Sequence, residues 1–367
     1  MLETALKLIS KIEDKGFSAY IVGGFVRDYI LGLNSNDIDI CTNAQPVDIR
    51  NIFKNACLPN EAYGSITVVL RNIRFEITTF RREITYLNNR KPVEFEYIND
   101  LLEDLQRRDF RINTMCMDKN GNIIDLLNGR EDINHREINT VGNSYLKFSE
   151  DALRILRAVR FATSLDFRLS PDVKSAILET KHYLKKLSYN RKKEELNKIF
   201  TSTHVRYGIK LLIELGLDKE LELKNLSKIN NFDDLMGIWA QLNVDDIYNF
   251  TKNEIQIMNQ IRTVLELDNL DPIVLYKYGL YVNSVAADIK GIDKKIVTYK
   301  YNKLPIKCRS DLSINGVDII KILNTKPGRE LKVILADIEK KILLNKLENN
   351  FDVLKNYILD NYSSTHI

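Results

Sequence analysis

The chemistry in this chain starts at Asp37-Ile38-Asp39, where an extended backbone puts two carboxylates on one face. Two such groups repel unless they share a proton or a cation, and a divalent metal suits hard oxygen donors. Upstream stands Gly23-Gly24-Phe-Val-Arg27-Asp28. A glycine pair at a strand end lets backbone approach a ligand that a Cβ would obstruct. A helix starting there aims its N–H groups, together with Arg27, at one place, which makes a phosphate cradle. A metal and a nucleoside triphosphate supply what the two halves lack. Each half alone has a plainer reading, the glycines as an ordinary turn and the aspartates as a solvated strand face. Their union in one strand–turn–helix–turn–strand unit singles the stretch out.

A second set of residues is cationic. Arg107-Arg108-Asp109-Phe-Arg111-Ile-Asn113 holds three arginines in five positions, too many to face an apolar core, and arginine suits planar phosphate recognition. Further on, Ser149-Glu150-Asp151-Ala-Leu-Arg154-Ile-Leu-Arg157-Ala-Val-Arg160-Phe161 reads as one helix. Ser149 would be its N-cap, Glu150 and Asp151 would face the positive end of its dipole, and both acids have pair spacing with Arg154. That account is complete without function, yet it leaves a stripe of Arg154, Arg157 and Arg160. Asp151 as acceptor and Arg154 as donor fork also match a base edge. Cytosine and adenine each present an exocyclic amino donor beside a ring-nitrogen acceptor, and uracil and guanine present the reverse. Such a pair could select C and A without a template.

The elements that must hold these groups follow from periodicity and turn residues. Ala19–Val22 reads as a buried strand, Phe25–Leu31 as a helix and Asp37–Cys41 as a second strand, joined through Gly32–Asn36. Pro46 opens a helix running to Phe53. Ile66–Leu70 and Phe75–Phe80 alternate as a hairpin about Arg71-Asn72. Glu76 lies on its second strand, either as an exposed strand glutamate or near the metal. Residues 81–95 carry Arg81, Arg82, Tyr86, Arg90 and Lys91 with no clean period. They read as a surface loop, or more sharply as a mobile loop touching substrate. Asn120-Gly121 marks another hairpin.

From about residue 138 the strands stop and helical spacing takes over. Leu187–Phe200 reads as a helix with Arg191 and Glu195 as a structural pair, and Trp239 reads as core. Lys294 to Arg309 is basic with Tyr299 and Tyr301 interleaved, a pattern of solvated faces and also of strand-gripping surfaces. Ile314–Asp318 opens a helical hairpin that turns at Lys326-Pro-Gly328 into a helix over Glu330–Lys346.

Composition bounds the rest. At 367 residues, 44% hydrophobic and 28% charged, the chain describes an ordinary globular protein of two to four domains. A net charge of +4 permits a nucleic-acid partner without demanding one. Four cysteines without a CxxC suggest neither a zinc site nor a disulfide framework. Four histidines, none in a His-Asp doublet or HExxH, weaken histidine-based metal or hydrolase chemistry. Leu2–Lys15 reads as an amphipathic helix and not a signal peptide, and no apolar run approaches the roughly 20 residues that span a bilayer. A cytoplasmic enzyme without a membrane partner is the expectation.

Taken together, these motifs resemble the nucleotidyltransferase superfamily, and within it the class II (bacterial-type) tRNA nucleotidyltransferase / poly(A) polymerase family. The resemblance runs nearly end to end. Gly23 to Asp28 with Asp37-Ile-Asp39 matches the first motif, Arg107 to Asn113 the second, and Asp125 to Arg130 a hinge-like third. Glu150-Asp151-Ala-Leu-Arg154 with Arg157 and Arg160 matches the base-reading motif, Arg191 to Leu196 the next, and Leu312 to Lys346 a tRNA-binding tail.

The resemblance implies an α+β fold: a small mixed β-sheet nucleotidyltransferase head (1–137), then an all-α neck (138–203), body (204–290) and tail (291–367). It implies addition of CMP and AMP from CTP and ATP to the 3′ end of tRNA. Asp37 and Asp39 would hold two Mg²⁺, and Gly24, Arg27 and Arg108 would touch the nucleotide. Asp151 and Arg154 would pair with its base, with Arg157 and Arg160 in support. Gly23, Glu76, Asn113 and Glu150 are weaker candidates for the same site. Residues 81–95 would be the loop that switches C to A addition. Poly(A) synthesis is the alternative, although the strongly basic C-terminus of its relatives is absent. Enzymes adding only CC or only A, and a non-catalytic tRNA-binding protein, fit less well. Arg111 stands where the family often has threonine, which would add charge near the pocket.

Overall fold

The computed structural model describes residues 1–35, 37–54, 57–62, 64–87 and 91–363, with backbone alone at 57–62, 85–87 and 91–94. The chain divides into two compact units, Met1–Leu226 and Ser227–Ile367.

The first unit begins with α1 (Leu2–Glu13), which buries Ala5, Leu8, Ile9 and Ile12 along one stripe. The sheet contains β1 (Ala19–Val22), β2 (Asp39–Thr42), β3 (Cys57–Ala62), β4 (Ser65–Leu70) and β5 (Ile73–Thr79), with α2 (Gly24–Leu31) and α3 (Pro46–Ile52) among them. After the hairpin β6 (Arg81–Leu87) and β7 (Lys91–Tyr97) come α4 (Leu101–Gln106), β8 (Cys116–Met117) and β9 (Ile123–Ile124). Seven strands order as β3-β4-β5-β2-β1-β8-β9. β2 pairs antiparallel with β1 and parallel with β5, so the sheet is mixed, as expected.

Local sequence accounts for these pieces. Gly23 has φ +86° and ψ −135°, a region that only glycine enters readily, so the chain can leave β1 and start α2 at once. Arg71 and Asn72 both have positive φ, the twist that a two-residue hairpin between β4 and β5 demands. Asp37 lies just ahead of β2 rather than within it, because pairing with Val22 begins only at Asp39. Asn36, in the connecting turn, lies outside the described residues.

Residues 81–97 are not a loop in their described part. β6 and β7 form an antiparallel ladder from Arg81↔Tyr97 to Leu87↔Lys91. The register shifts between Glu83 and Thr85 and again at Tyr86, and each irregularity breaks the two-residue alternation that would have shown a strand. Arg90 and the side chains of Tyr86 and Lys91 lie outside the described residues.

The rest of the unit is mostly helical: α5 (Gly129–His135), α6 (Ser144–Glu150), α7 (Leu153–Leu165), α8 (Pro171–Thr180), α9 (Tyr189–Phe200), α10 (Val205–Glu214) and α11 (Leu217–Glu220). Strand pairing does not stop at 138, since β10 (Glu137–Ile138) runs parallel to β11 (Arg168–Leu169). α7 buries Ile155, Leu156, Ala158, Val159 and Ala162, which fixes the opposite face of the helix toward the site.

Asp132 on α5 is buried, accepts from Asn139 Nδ2 at 2.9 Å and keeps its second oxygen without a hydrogen-bond partner. Burial pushes its carboxyl up to about 6. The folded state therefore holds this proton more tightly than the unfolded chain, so the stability it brings is full below pH 4 and lost as pH rises through 6. Asp132→Asn is expected to stabilise the protein by about 1–3 kcal/mol at pH 8. Denaturant unfolding at pH 8 and pH 5 checks this, with the smaller gain at pH 5. Arg111 faces Asp132 with an N–O separation of 3.8 Å and is not among the residues lining the cleft described below, contrary to the expected charge at the pocket.

The second unit is helical: α12 (Leu235–Leu242), α13 (Lys252–Leu265), α14 (Pro272–Ile289), α15 (Lys294–Asn302), α16 (Gly316–Leu323), α17 (Glu330–Leu343) and α18 (Phe351–Tyr362). Trp239 is fully buried against Tyr248 and Phe250. Ile319, Ile338, Leu354 and Ile358 close a core over α16 to α18. On α15, Tyr299 is 64% exposed, with Lys303 over its ring at 5.8 Å. No helix among the described residues is long and apolar enough to cross a membrane.

Candidate active site

β2 and β5 set the acidic side of the site. Asp39 and Glu76 are opposite each other in the parallel ladder, and Asp37 precedes Asp39 on the exposed turn. Asp39 is reachable by solvent but sits in a cleft. Its carboxyl is raised first by desolvation, then by the negative charge of Glu76 and Asp37, against the pull of Arg108. Among the described residues, no ion pair joins any of these three acids to a protein cation.

Facing them, a cleft of about 530 Å³ brings together Gly23, Gly24, Asp39, seven arginines and the Phe161 ring. Each of the following arginines is held by a carboxylate. Arg27 donates to Asp28 Oδ1 from Nε at 2.8 Å and from Nη2 at 2.7 Å, and its Nη1 reaches Asn113 Oδ1 at 2.8 Å. Asp104 on α4, fully buried, accepts from Arg107 Nε at 2.9 Å and Arg108 Nη2 at 3.1 Å. Burial opposes the Asp104 charge, but Arg108 and Arg107 win and hold its carboxyl below the usual range. Burial likewise opposes charge on Arg108, and Asp104 overrides it, so this guanidinium is charged at any working pH. Asp109, also buried, accepts from Arg157 Nε at 2.6 Å and from Asn113 Nδ2 at 3.3 Å. Glu195 of α9 accepts from Arg160 Nη1 at its Oε1, 3.2 Å away. Charge-assisted pairs of this kind fix the planes of the guanidiniums before any ligand arrives.

The base-reading stretch departs from the one-helix reading. α6 ends at Glu150, Asp151 has φ −141° and ψ 104°, and α7 starts afresh at Leu153. Ser149 is therefore no N-cap. Instead Asp151 Oδ1 accepts from Leu153 N at 3.0 Å, capping the new helix from just outside it. The break turns Asp151 into the cleft, where burial raises its carboxyl. Arg154 also lines the cleft and donates from Nη1 to Glu150 Oε2 at 2.6 Å and from Nη2 to the Arg107 carbonyl at 3.2 Å. Glu150 thus stands behind Arg154, outside the main cleft. Nor do Arg191 and Glu195 form the expected pair: Glu195 bonds Arg160 and Lys198 while Arg191 lines the cleft.

The cleft also takes in residues not expected to touch the nucleotide: Arg107, Asp109, Phe161 and Arg191 from within the motif stretches, and Glu83 from β6. Glu83 lies 3.7 Å from Arg107 Nη1, and Arg81 N donates to Asp104 Oδ1 at 3.2 Å. The β6–β7 hairpin is thereby tied to the carboxylate that orders Arg107 and Arg108. The signal in sequence was the arginine excess itself, because so many buried cations require carboxylates nearby.

Comparison with known proteins places this geometry. Residues 19–139 match the family described as Poly A polymerase head domain, 166–225 the probable RNA and SrmB-binding site of polymerase A, and 248–358 the tRNA nucleotidyltransferase domain 2 (putative). The CCA-adding enzyme of Ligilactobacillus salivarius is 34% identical over 95% of this chain and 94% of its own length. That of Lactococcus lactis subsp. cremoris (strain SK11) is 36% identical over 94% and 93%. The chain belongs to the CCA-adding enzyme family. A crystal structure of the Bacillus stearothermophilus CCA-adding enzyme in complex with CTP superposes with a TM-score of 0.86, at 28% identity over 97% of this chain and 96% of that one.

As a member of this family the protein is a nucleotidyltransferase, and the mixed-sheet head with helices after it is the family's fold. Nucleotidyltransferases of this kind generally use divalent metals. The donor set here fits such an ion: Asp37, Asp39 and Glu76 offer hard oxygens only, and the Asp39 carboxyl stays raised, by desolvation and then by Glu76 and Asp37, despite the pull of Arg108.

Proposed function

We propose that the protein builds or repairs the C-C-A terminus of tRNA, adding CMP and AMP from CTP and ATP without a template. One observation carries the reading: Asp39, the Gly23-Gly24 turn, the held arginines and the Asp151/Arg154 pair line a single cleft. In this proposal residues 1–137 are the catalytic head and 138–203 a neck that reads the base. Residues 204–290 form a body, and 291–367 a tail that grips tRNA.

The roles follow from charge and placement. Asp37 and Asp39 would hold Mg²⁺, which when bound neutralises triphosphate charge and activates the RNA 3′-hydroxyl, in the two-metal manner. Gly23 and Gly24 keep Cβ atoms out of the approach, and the α2 N-terminus with Arg27 and Arg108 binds the triphosphate oxygens. Asn113 orients Arg27. Asp151 accepts from the exocyclic amino group of cytosine or adenine, and Arg154 donates to the neighbouring ring nitrogen. Glu150 steers Arg154. Arg157 and Arg160 add positive charge beside the nucleotide. Glu76 sets the electrostatics of Asp39. The β6–β7 hairpin, linked to Arg107 through Glu83, is suited to adjusting the pocket between C and A. Nothing observed favours poly(A) synthesis over this reading.

On tRNA lacking its 3′ terminus, the protein is expected to use CTP and ATP and to refuse UTP and GTP. Asp151→Ala should raise use of UTP relative to CTP by about tenfold or more, the worth of a good base-edge pair. Steady-state addition rates with each nucleotide check this; unchanged discrimination against UTP removes Asp151 from base reading.

A further inference from the structure

Three guanidiniums of the cleft converge on one phenyl ring. Arg160 Cζ lies 4.3 Å from the Phe161 centroid, Arg27 Cζ 5.2 Å and Arg157 Cζ 5.4 Å. All three distances fall within the roughly 6 Å over which a ring quadrupole attracts a cation. Two of these arginines share α7 with the ring, whereas Arg27 comes from α2. Phe161 itself is 8% exposed and lines the cleft. Its ring meets Phe110 edge-on at 5.6 Å, which limits its freedom to turn.

Behind them Asp109 holds Arg157 and is linked through Asn113 to Arg27, while Glu195 holds Arg160, so among the described residues no single carboxylate or amide touches all three. The ring is shared. Three like charges crowded together repel, and the cost is visible at Arg160, whose pKa is pushed down to about 10 by burial and next by Arg157. An aliphatic residue of similar size would fill the space without offsetting that repulsion. An aromatic ring fills it and attracts all three.

We propose that Phe161 is a positioning residue for nucleotide binding, holding Arg27, Arg157 and Arg160 as one preorganised cation cluster that receives the triphosphate. The proposal rests on the reading of the cleft as a nucleoside triphosphate site. Phe161 acts through the arginines, on the phosphates and not on the base. Its loss therefore weakens CTP and ATP alike and leaves base choice and the chemical step nearly untouched.

Graded fluorination tests this without changing shape. Mono-, di- and trifluorophenylalanine placed at Phe161 by nonsense suppression drain the ring's quadrupole stepwise while its volume stays nearly constant. The expected result is a KM for both CTP and ATP that climbs with each fluorine, to about tenfold for the trifluoro ring. kcat should stay within about twofold and UTP discrimination should not change. Phe161→Leu should match the trifluoro protein, and Phe161→Trp should restore most of the affinity. A flat KM across the series overturns the proposal, as does a loss in kcat alone. Failure of the unmodified protein to use CTP and ATP overturns the underlying reading of the cleft instead.

Discussion

Asp39→Asn should lower nucleotide addition by about a thousandfold or more, the several kcal/mol expected when the ligand of an activating metal is lost. It should do so without lowering stability. The carboxyl of Asp39 is already raised by desolvation and by Glu76 and Asp37, so the folded protein without metal carries unrelieved repulsion that an amide removes. A melting temperature equal to or slightly above that of the parent, together with unchanged tRNA affinity, would separate loss of chemistry from loss of structure. Parallel thermal melts and single-turnover rates supply both numbers. Retained activity would remove Asp39 from the metal assignment.

The opposite pattern is expected at Asp104, which touches no substrate. Asp104→Ala leaves the guanidiniums of Arg107 and Arg108 largely buried without the carboxylate that orders them, and it frees the Arg81 backbone N–H as well. Removing one partner of a buried ion pair costs about 3–5 kcal/mol. Both arginines open partly to the cleft, with side-chain exposures of 15% and 18%, so about 3 kcal/mol is the expected loss. Urea unfolding measures it. Nucleotide KM should rise in the same variant, because Arg108 loses its orientation. Asp104→Asn, which keeps two acceptor lone pairs, should recover part of the stability.

These two residues also mark where sequence was legible. Asp39 and its glycine turn stood out because strand–turn–helix units are local: the strand Ala19–Val22, the positive-φ Gly23 and the helix to Leu31 are specified by neighbours in the chain. The hairpin about Arg71-Asn72 was readable for the same reason. Asp104 was not, since nothing in Leu101–Gln106 says that this acid turns inward beneath two arginines of the next segment. Burial of a carboxylate is a tertiary fact. The break at Asp151 was hidden by a periodic run of apolar residues and arginines that continues a helical pattern across it. A capping acid inside such a run looks like the first turn of a single helix. Residues 81–97 were hidden for the reverse reason: pairing exists, but irregular register erases the alternation. α18, Phe351–Tyr362, was missed because its exposed Phe351 and Val353 dilute the stripe formed by Leu354 and Ile358.

The central claim is that one cleft adds a defined sequence to one kind of acceptor. The most direct measurement is the 3′-terminal sequence of tRNA lacking its last three nucleotides, after incubation with the protein, Mg²⁺ and all four nucleoside triphosphates. The account predicts C-C-A and then arrest, with C-C alone when ATP is withheld and no growth on unrelated RNA. Long adenylate tails, or tails on any RNA supplied, would contradict it.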